Sequence, residues 1–252
     1  MPAALGGKVA LVTGASRGIG LAIATVLAAS DMKVWMVARG SEPLLQAARS
    51  LGGDVVPFAV DLADDGARAE LVSAVESAGD GLDVLVNNAG TILIGRTDEV
   101  PEDDFRDLLN SNLIAPYALT RAVLPLLRAS RGDIVFINSS AGRTATAGVG
   151  QYAATKHALR AFAQSLRGEV NDDGIRVTVV YPGRTATPLQ ERLHALEGQS
   201  YEPARLMQPA DVADMVDAVL RLPRTAEVTE VEMRPMLKPR PGRPGPGRPS
   251  MS

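Results

Sequence analysis

Tyr152 and Lys156 stand four residues apart in a chain of 252 residues. On a helix that spacing puts both on one face, about one turn apart. A free phenol has a pKa of about 10 and is a poor base at neutral pH. A neighbouring ammonium stabilises the phenolate and should lower that value. Such a pair could give a proton to a carbonyl oxygen or take one from an alcohol. A second chemical signal lies at Thr13-Gly14-Ala15-Ser16-Arg17-Gly18-Ile19-Gly20, between an apolar run and a helical stretch. Glycine lets such a loop turn sharply and lets its backbone approach a pyrophosphate. The free N–H groups at the start of the next helix then face the phosphates.

These residues need a frame. Short apolar runs at 8–12, 33–37, 54–59, 82–86, 133–137, 176–180 and 228–233 are mostly rich in valine and isoleucine and show little polar alternation. Strands buried on both faces of a parallel sheet read this way. Amphipathic stretches at 18–29, 44–51, 67–78, 102–127, 151–170 and 209–222 lie between them. The alternation predicts a doubly wound α/β fold. No fixed-period repeat points to a solenoid. The end, 238–252, reads KPRPGRPGPGRPSMS and suits neither a helix nor a central strand. It is expected to be a disordered tail after a domain spanning 1–237, either a solvated extension or a weak contact for an anionic or SH3-like partner.

Composition narrows the chemistry. The chain is 46% hydrophobic and 22% charged, enough apolar residue to bury a core. With no cysteine, disulfides, thiol nucleophiles and iron–sulfur clusters drop out. His157 and His194 are the two histidines, and no HExxH-type pair occurs, so no protein metal site is expected. A net charge of −3 argues against a nucleic-acid partner. No apolar run reaches the ~20 residues that span a bilayer, and the first residues lack a signal-peptide pattern. A cytoplasmic protein with no membrane association is the expectation.

Three motifs in order, the glycine loop spaced Gly-x-x-x-Gly-x-Gly, Asn87-Asn88-Ala89-Gly90 and Tyr152-Ala-Ala-Thr-Lys156, make the chain resemble the short-chain dehydrogenase/reductase family over roughly residues 5–235. The resemblance implies a single-domain Rossmann fold, a seven-stranded parallel sheet in the order 3-2-1-4-5-6-7 with helices on both faces. It implies Tyr152 as general acid/base, with Lys156 also holding the nicotinamide ribose. Ser139 lies thirteen residues before Tyr152 and three before Gly142, as the family's serine does, and Ser140 does not. Ser139 is therefore expected to steady the substrate oxygen, with Ser140 a turn residue. Asn112, expected inside the long helix at 102–127, resembles the family asparagine that holds a water beside the lysine. Asp61 and Leu62 fall where such enzymes meet the adenine. Asp61 could also cap the helix that follows, and the two uses are compatible. Asn88, Ala89 and Gly90 would lie against the adenosine half. Pro182, Gly183, Thr185 and Thr187 resemble the loop that meets the nicotinamide carboxamide. Many members end near an Asp-Gly-Gly stretch, which this chain lacks.

The cofactor follows from the tip of the second strand. Enzymes that use NAD place an acid there, about 20 residues past the glycines, on the ribose 2′-hydroxyl. Here the tip is Ala38-Arg39. A 2′-phosphate would meet Arg39, with Arg17 and Ser16 nearby, and guanidinium suits phosphate by charge and fork geometry. The glycine-loop contacts would come from Gly14, Ser16, Arg17, Gly18, Ile19 and Gly20. NADP(H) is the expected cofactor, and the expected activity is interconversion of a carbonyl compound and its secondary alcohol. A silent NADP(H)-binding sensor and an NAD-linked alcohol dehydrogenase are the competing readings. The segment from Thr187 to Gln208 would form a polar lid over a small-molecule substrate. A homodimer or homotetramer is implied by the resemblance.

Overall fold

The computed structural model describes residues 3–237, so the expected tail at 238–252 lies outside the described residues. The chain runs β1 (Val9–Thr13), α1 (Gly18–Ala29), β2 (Lys33–Ala38), α2 (Ser41–Leu51), β3 (Val55–Ala59), α3 (Asp65–Ala78) and β4 (Val84–Asn87). It continues through α4 (Glu102–Leu109), α5 (Ala115–Ser130), β5 (Asp133–Ile137), α6 (Gly150–Val170), β6 (Arg176–Pro182), α7 (Pro188–Leu196), α8 (Pro209–Leu220) and β7 (Glu230–Met233). The strands form one seven-stranded sheet in the order β3-β2-β1-β4-β5-β6-β7. Every ladder is parallel. This is the Rossmann order expected from the sequence. The order reverses between β1 and β4, where such sheets open a crevice beyond the strand ends.

Strand side chains alternate between two cores. Val9 and Leu11 of β1 pack with Leu119, Val123 and Leu159 on one face. Ala10 and Val12 pack with Ile23, Leu27 and Val216 on the other. Burial on both faces explains the nearly unbroken apolar runs.

Two elements differ from expectation. The stretch 102–127 is not one α-helix: a π-helical turn, Asn110–Ile114, joins α4 to α5. Its extra residue per turn is a local feature that apolar spacing does not resolve. The expected lid segment carries a helix that the sequence reading did not place, α7, started by Thr187, whose side chain accepts from the Gln190 N–H. Asp64, not Asp61, caps α3, accepting from the Ala67 N–H at 2.7 Å. Asp61 instead accepts from the Ala63 N–H at 3.0 Å and stays exposed.

Candidate active site

The C-terminal ends of β1 and β4 are bound together before any ligand is considered. The Thr13 hydroxyl donates to the Val86 carbonyl and accepts the N–H groups of both Asn88 and Ala89 at 2.9 Å. Asn88 Nδ2 donates to the carbonyls of Thr13 and Gly14. The glycines are required by this closeness. Gly14 and Gly18 have φ of 65° and 58°, in the left-handed region. A Cβ on Gly20 would lie 2.3 Å from the Gly14 carbonyl oxygen and 2.4 Å from Asn88 Nδ2. Thr13 was visible in the sequence only as the first letter of the loop, and its bridging use was missed.

Helix α1 starts in this loop with no side-chain cap and no acid in its first turn. Ile19, in the first turn of α1, packs against the core. Arg17 and Arg39 are both exposed, at the glycine loop and the tip of β2. The two tips are joined where the Ala15 N–H donates to the Val37 carbonyl. Ser16 is half-buried beside Arg17. Leu62 is buried at the end of β3, and its carbonyl accepts from Arg68. On the far side, a Cβ on Gly18 would meet Thr187 Cγ2 at 3.2 Å, so the loop after β6 reaches the glycine loop. Gly183 donates its N–H to Met233 of β7. Thr185 is buried and donates to the Gly183 carbonyl at 3.0 Å.

The second group of residues gathers at the ends of β4 and β5. Tyr152 and Lys156 share one face of α6, and both are buried. Lys156 Nζ lies 5.9 Å from the Tyr152 ring centre. It lies 3.4 Å from the Ile137 carbonyl, the last residue of β5. A Cβ on Gly90 would sit 3.7 Å from the same ammonium and 3.0 Å from Asn112 Oδ1, so the Asn-Asn-Ala-Gly turn and the π-helical turn meet Lys156 together. The Ser139 hydroxyl stands beside the Tyr152 phenol and favours its charged form. Ser139 has extended backbone and Ser140, which is exposed, opens a one-turn 3-10 helix.

Burial pushes the Tyr152 phenol above its usual 10.0, and the neighbouring Ser139 hydroxyl only partly opposes it. That corrects the expectation of a phenol made more acidic by the ammonium. Desolvation disfavours the phenolate, and it outweighs the pull of the ammonium, which lies 5.9 Å from the ring centre. Burial likewise pulls Lys156 down to about 8.

Three positioning groups were not singled out in the sequence. Asn138 accepts the Ser139 N–H and donates to the Lys156 carbonyl, clamping β5 to α6. Thr155 is fully buried, donates to the Tyr152 carbonyl and accepts from Asn112 Nδ2 at 3.1 Å. Thr91 closes the Asn112 side chain, giving its N–H to Oδ1 and its carbonyl to Nδ2, both at 2.9 Å. Asn112 thus makes three side-chain hydrogen bonds to its neighbours, which is why a mediocre helix former is accommodated at the π-helical turn. Asn138 could have been noticed as a polar residue ending an apolar strand; Thr155 and Thr91 carried no such signal.

The lid is latched to the end of β6. Arg184 pairs with Glu197 at 2.9 Å and donates to Gln199 at 3.0 Å. It also lies 3.3 Å from Nε2 of His194, which is buried and holds the Gln190 carbonyl through Nδ1 at 2.8 Å. His157 is exposed and turns back onto the Ala153 carbonyl. Among the described residues no helix is long and apolar enough to cross a membrane.

Known proteins resemble the chain in sequence and fold. The family model for short chain dehydrogenases matches residues 8–198. An uncharacterized short-chain type dehydrogenase/reductase of Sinorhizobium fredii is 36% identical over 233 residues, covering 90% of this chain and 91% of that protein. A variant of actinorhodin polyketide ketoreductase, solved with NADPH, aligns with a TM-score of 0.82 at 31% identity, covering 92% of this chain and 97% of that one. L-Sorbose reductase from Gluconobacter frateurii, complexed with NADPH and L-sorbose, aligns with a TM-score of 0.83 at 29% identity over 92% and 97% of the two chains. The reversal of strand order, the glycine loop at its crevice and these matches lead to one conclusion: the chain belongs to the short-chain dehydrogenase/reductase family of oxidoreductases.

Proposed function

We propose that the protein is an NADPH-dependent reductase that interconverts a carbonyl compound and its secondary alcohol, with Tyr152 as the general acid/base. The observation that carries the reading is the grouping of Ser139, Tyr152 and Lys156 at the C-terminal end of the sheet, with Ser139 beside the phenol. A phenol held above its usual value stays protonated at neutral pH, which is the state that reduction of a carbonyl needs.

The residues suit a phosphorylated dinucleotide. The first turn of α1 offers uncapped N–H groups with no acid to repel phosphate. Neither Arg17 nor Arg39 has an ion-pair partner among the described residues, so neither charge is already spent. Gly14, Gly18, Ile19 and Gly20 would hold the pyrophosphate, and Ser16, Arg17 and Arg39 the 2′-phosphate. Asp61 and Leu62, with Asn88, Ala89 and Gly90, would border the adenosine half. Pro182, Gly183, Thr185 and Thr187 would border the nicotinamide. NADPH was present in the ketoreductase and sorbose reductase structures.

When bound, the nicotinamide supplies or accepts the hydride. The protein's own residues do the rest. Ser139 holds the carbonyl oxygen beside the phenol. Tyr152 gives that oxygen its proton. Lys156, still largely charged at neutral pH, steadies the phenolate left behind. The Asn112 side chain already makes three of its four possible hydrogen bonds, to Thr91 and Thr155, which leaves one acceptor position on Oδ1 to support a relay beside Lys156. A homodimer or homotetramer is the assembly we propose, with exposed Ile114 and Tyr117 on the outer surface of the π turn and α5 as its apolar contribution.

The cofactor half of the reading is tested by exchanging charge at the tip of β2. Arg39→Asp should raise the KM for NADPH by about tenfold or more, the scale of losing one charge-assisted phosphate contact, and should improve use of NADH. Steady-state kinetics with both cofactors measure it. A wild-type preference for NADH contradicts the assignment.

A further inference from the structure

We infer that Glu230 is a positioning residue of the active site, one carboxylate that fixes the Ser139 turn and helix α6 in a common frame. It stands at the start of β7, and no motif drew attention to it. Its Oε2 accepts from Arg143, the residue directly after the turn that carries Ser139. Its Oε1 accepts from Arg160 at 3.2 Å, from Gln164 at 3.2 Å and from the Tyr181 hydroxyl of β6 at 3.0 Å. Tyr152, Lys156, Arg160 and Gln164 are spaced by four along α6, so the helix stripe that carries the reacting pair ends on this carboxylate.

The arrangement has directional consequences. The Arg143 guanidinium is held from two sides, by the carboxylate and by the Tyr181 ring face 4.9 Å away. Glu232 adds a weaker pull on Arg143 at 3.7 Å. The Glu230 side chain is only 21% exposed, so its bonds are screened less than those of a surface pair. Without it, Arg143, Arg160 and Tyr181 would face one another with no shared acceptor. The turn bearing Ser139 would keep its own short-range bonds, from the Ala141 N–H to the Ser139 hydroxyl and from the Gly142 N–H to the Ser139 carbonyl. Those bonds do not reach α6, and Asn138, between the Ser139 N–H and the Lys156 carbonyl, would be left as the hydrogen-bonded tie to the helix, so the distance between Ser139 and Tyr152 would be freer to vary.

The inference rests on the proposed roles of Ser139 and Tyr152, and its test separates the two. Hydrogen exchange on the full chain reads the turn without substrate. In Glu230→Ala, the amides of Ala141, Gly142 and Arg143 should exchange about tenfold faster, while those of β1 and β2 stay unchanged. Glu230→Gln keeps the side-chain volume should the alanine variant fold poorly, and the same direction is expected. With NADPH and ethyl acetoacetate as the probe, kcat should fall about tenfold with the KM for NADPH unchanged, the pattern of a misplaced reacting group. Added to Ser139→Ala, the change should cost little more, because both act through one hydroxyl. Unchanged turn amides overturn the inference, and so do losses from Glu230 and Ser139 that multiply in full. Loosened amides in a protein whose Tyr152→Phe variant turns over like the wild type support the anchor and overturn the functional reading instead. If ethyl acetoacetate is not reduced at all, the exchange result decides alone.

Discussion

Tyr152→Phe should bind NADPH as tightly as the wild type and lose turnover by about a thousandfold, the middle of the range for removing a positioned proton donor. The ring is buried and phenylalanine keeps its shape, so the packing of α6 against the sheet survives. Ser139 is not orphaned by the change, because its hydroxyl still accepts the Ala141 N–H. What disappears is the one acidic proton beside the expected position of the substrate oxygen. The measurement pairs a fluorescence titration of NADPH with kcat on a carbonyl panel. Equal turnover by the two proteins contradicts the role given to the phenol.

Lys156→Met should lose turnover by at least about a hundredfold and yet leave a more stable protein. Burial holds the ammonium at about 8, against 10.5 for an exposed lysine. Between those values the unfolded chain binds the extra proton and the folded one does not, so folding stability contributed by this group rises with pH. The cost of burying the charge is fully present below about pH 8 and is relieved as pH climbs towards 10.5. It amounts to about 3 kcal/mol. Methionine has similar length and no charge to desolvate. At neutral pH the variant should therefore melt several degrees above the wild type, and the gap should close in alkaline buffer. In the wild type, kcat for reduction should fall as pH rises through about 8, where the ammonium discharges. A variant no more stable than wild type at neutral pH would mean that the lysine is solvated rather than buried.

The sheet was legible because its strands are buried on both faces. Runs such as those of β1 and β5 have no polar alternation to confuse the reading, and every strand was located within a few residues. The site was legible where chemistry forces a residue type: glycine where a Cβ would strike the Gly14 carbonyl, or a tyrosine and lysine on one helix face. The π-helical turn at Asn112 was not, since five residues of altered winding hardly change an apolar pattern. Helix α7 escaped because its sequence, PLQERLHAL, is short and mixes four polar residues among nine, and its start depends on the Thr187 cap. The upward push on Tyr152 escaped for a different reason. Sequence spacing shows that an ammonium is near, while desolvation depends on what else packs around the ring. Glu230 was invisible because its partners come from β5's following turn, α6 and β6, far apart in the chain.

The central claim, that a reduced pyridine nucleotide gripped at Arg39 hands its hydride to a carbonyl protonated by Tyr152, is tested most directly with an isotope. NADPH carrying deuterium at the reactive carbon of its nicotinamide is mixed with the wild-type protein and a panel of ketones, and the products are examined by mass spectrometry. Deuterium on the carbinol carbon of the alcohol, formed by the wild type and not by Tyr152→Phe, is the predicted result. Unlabelled alcohol, or no alcohol from any ketone despite tight NADPH binding, contradicts it.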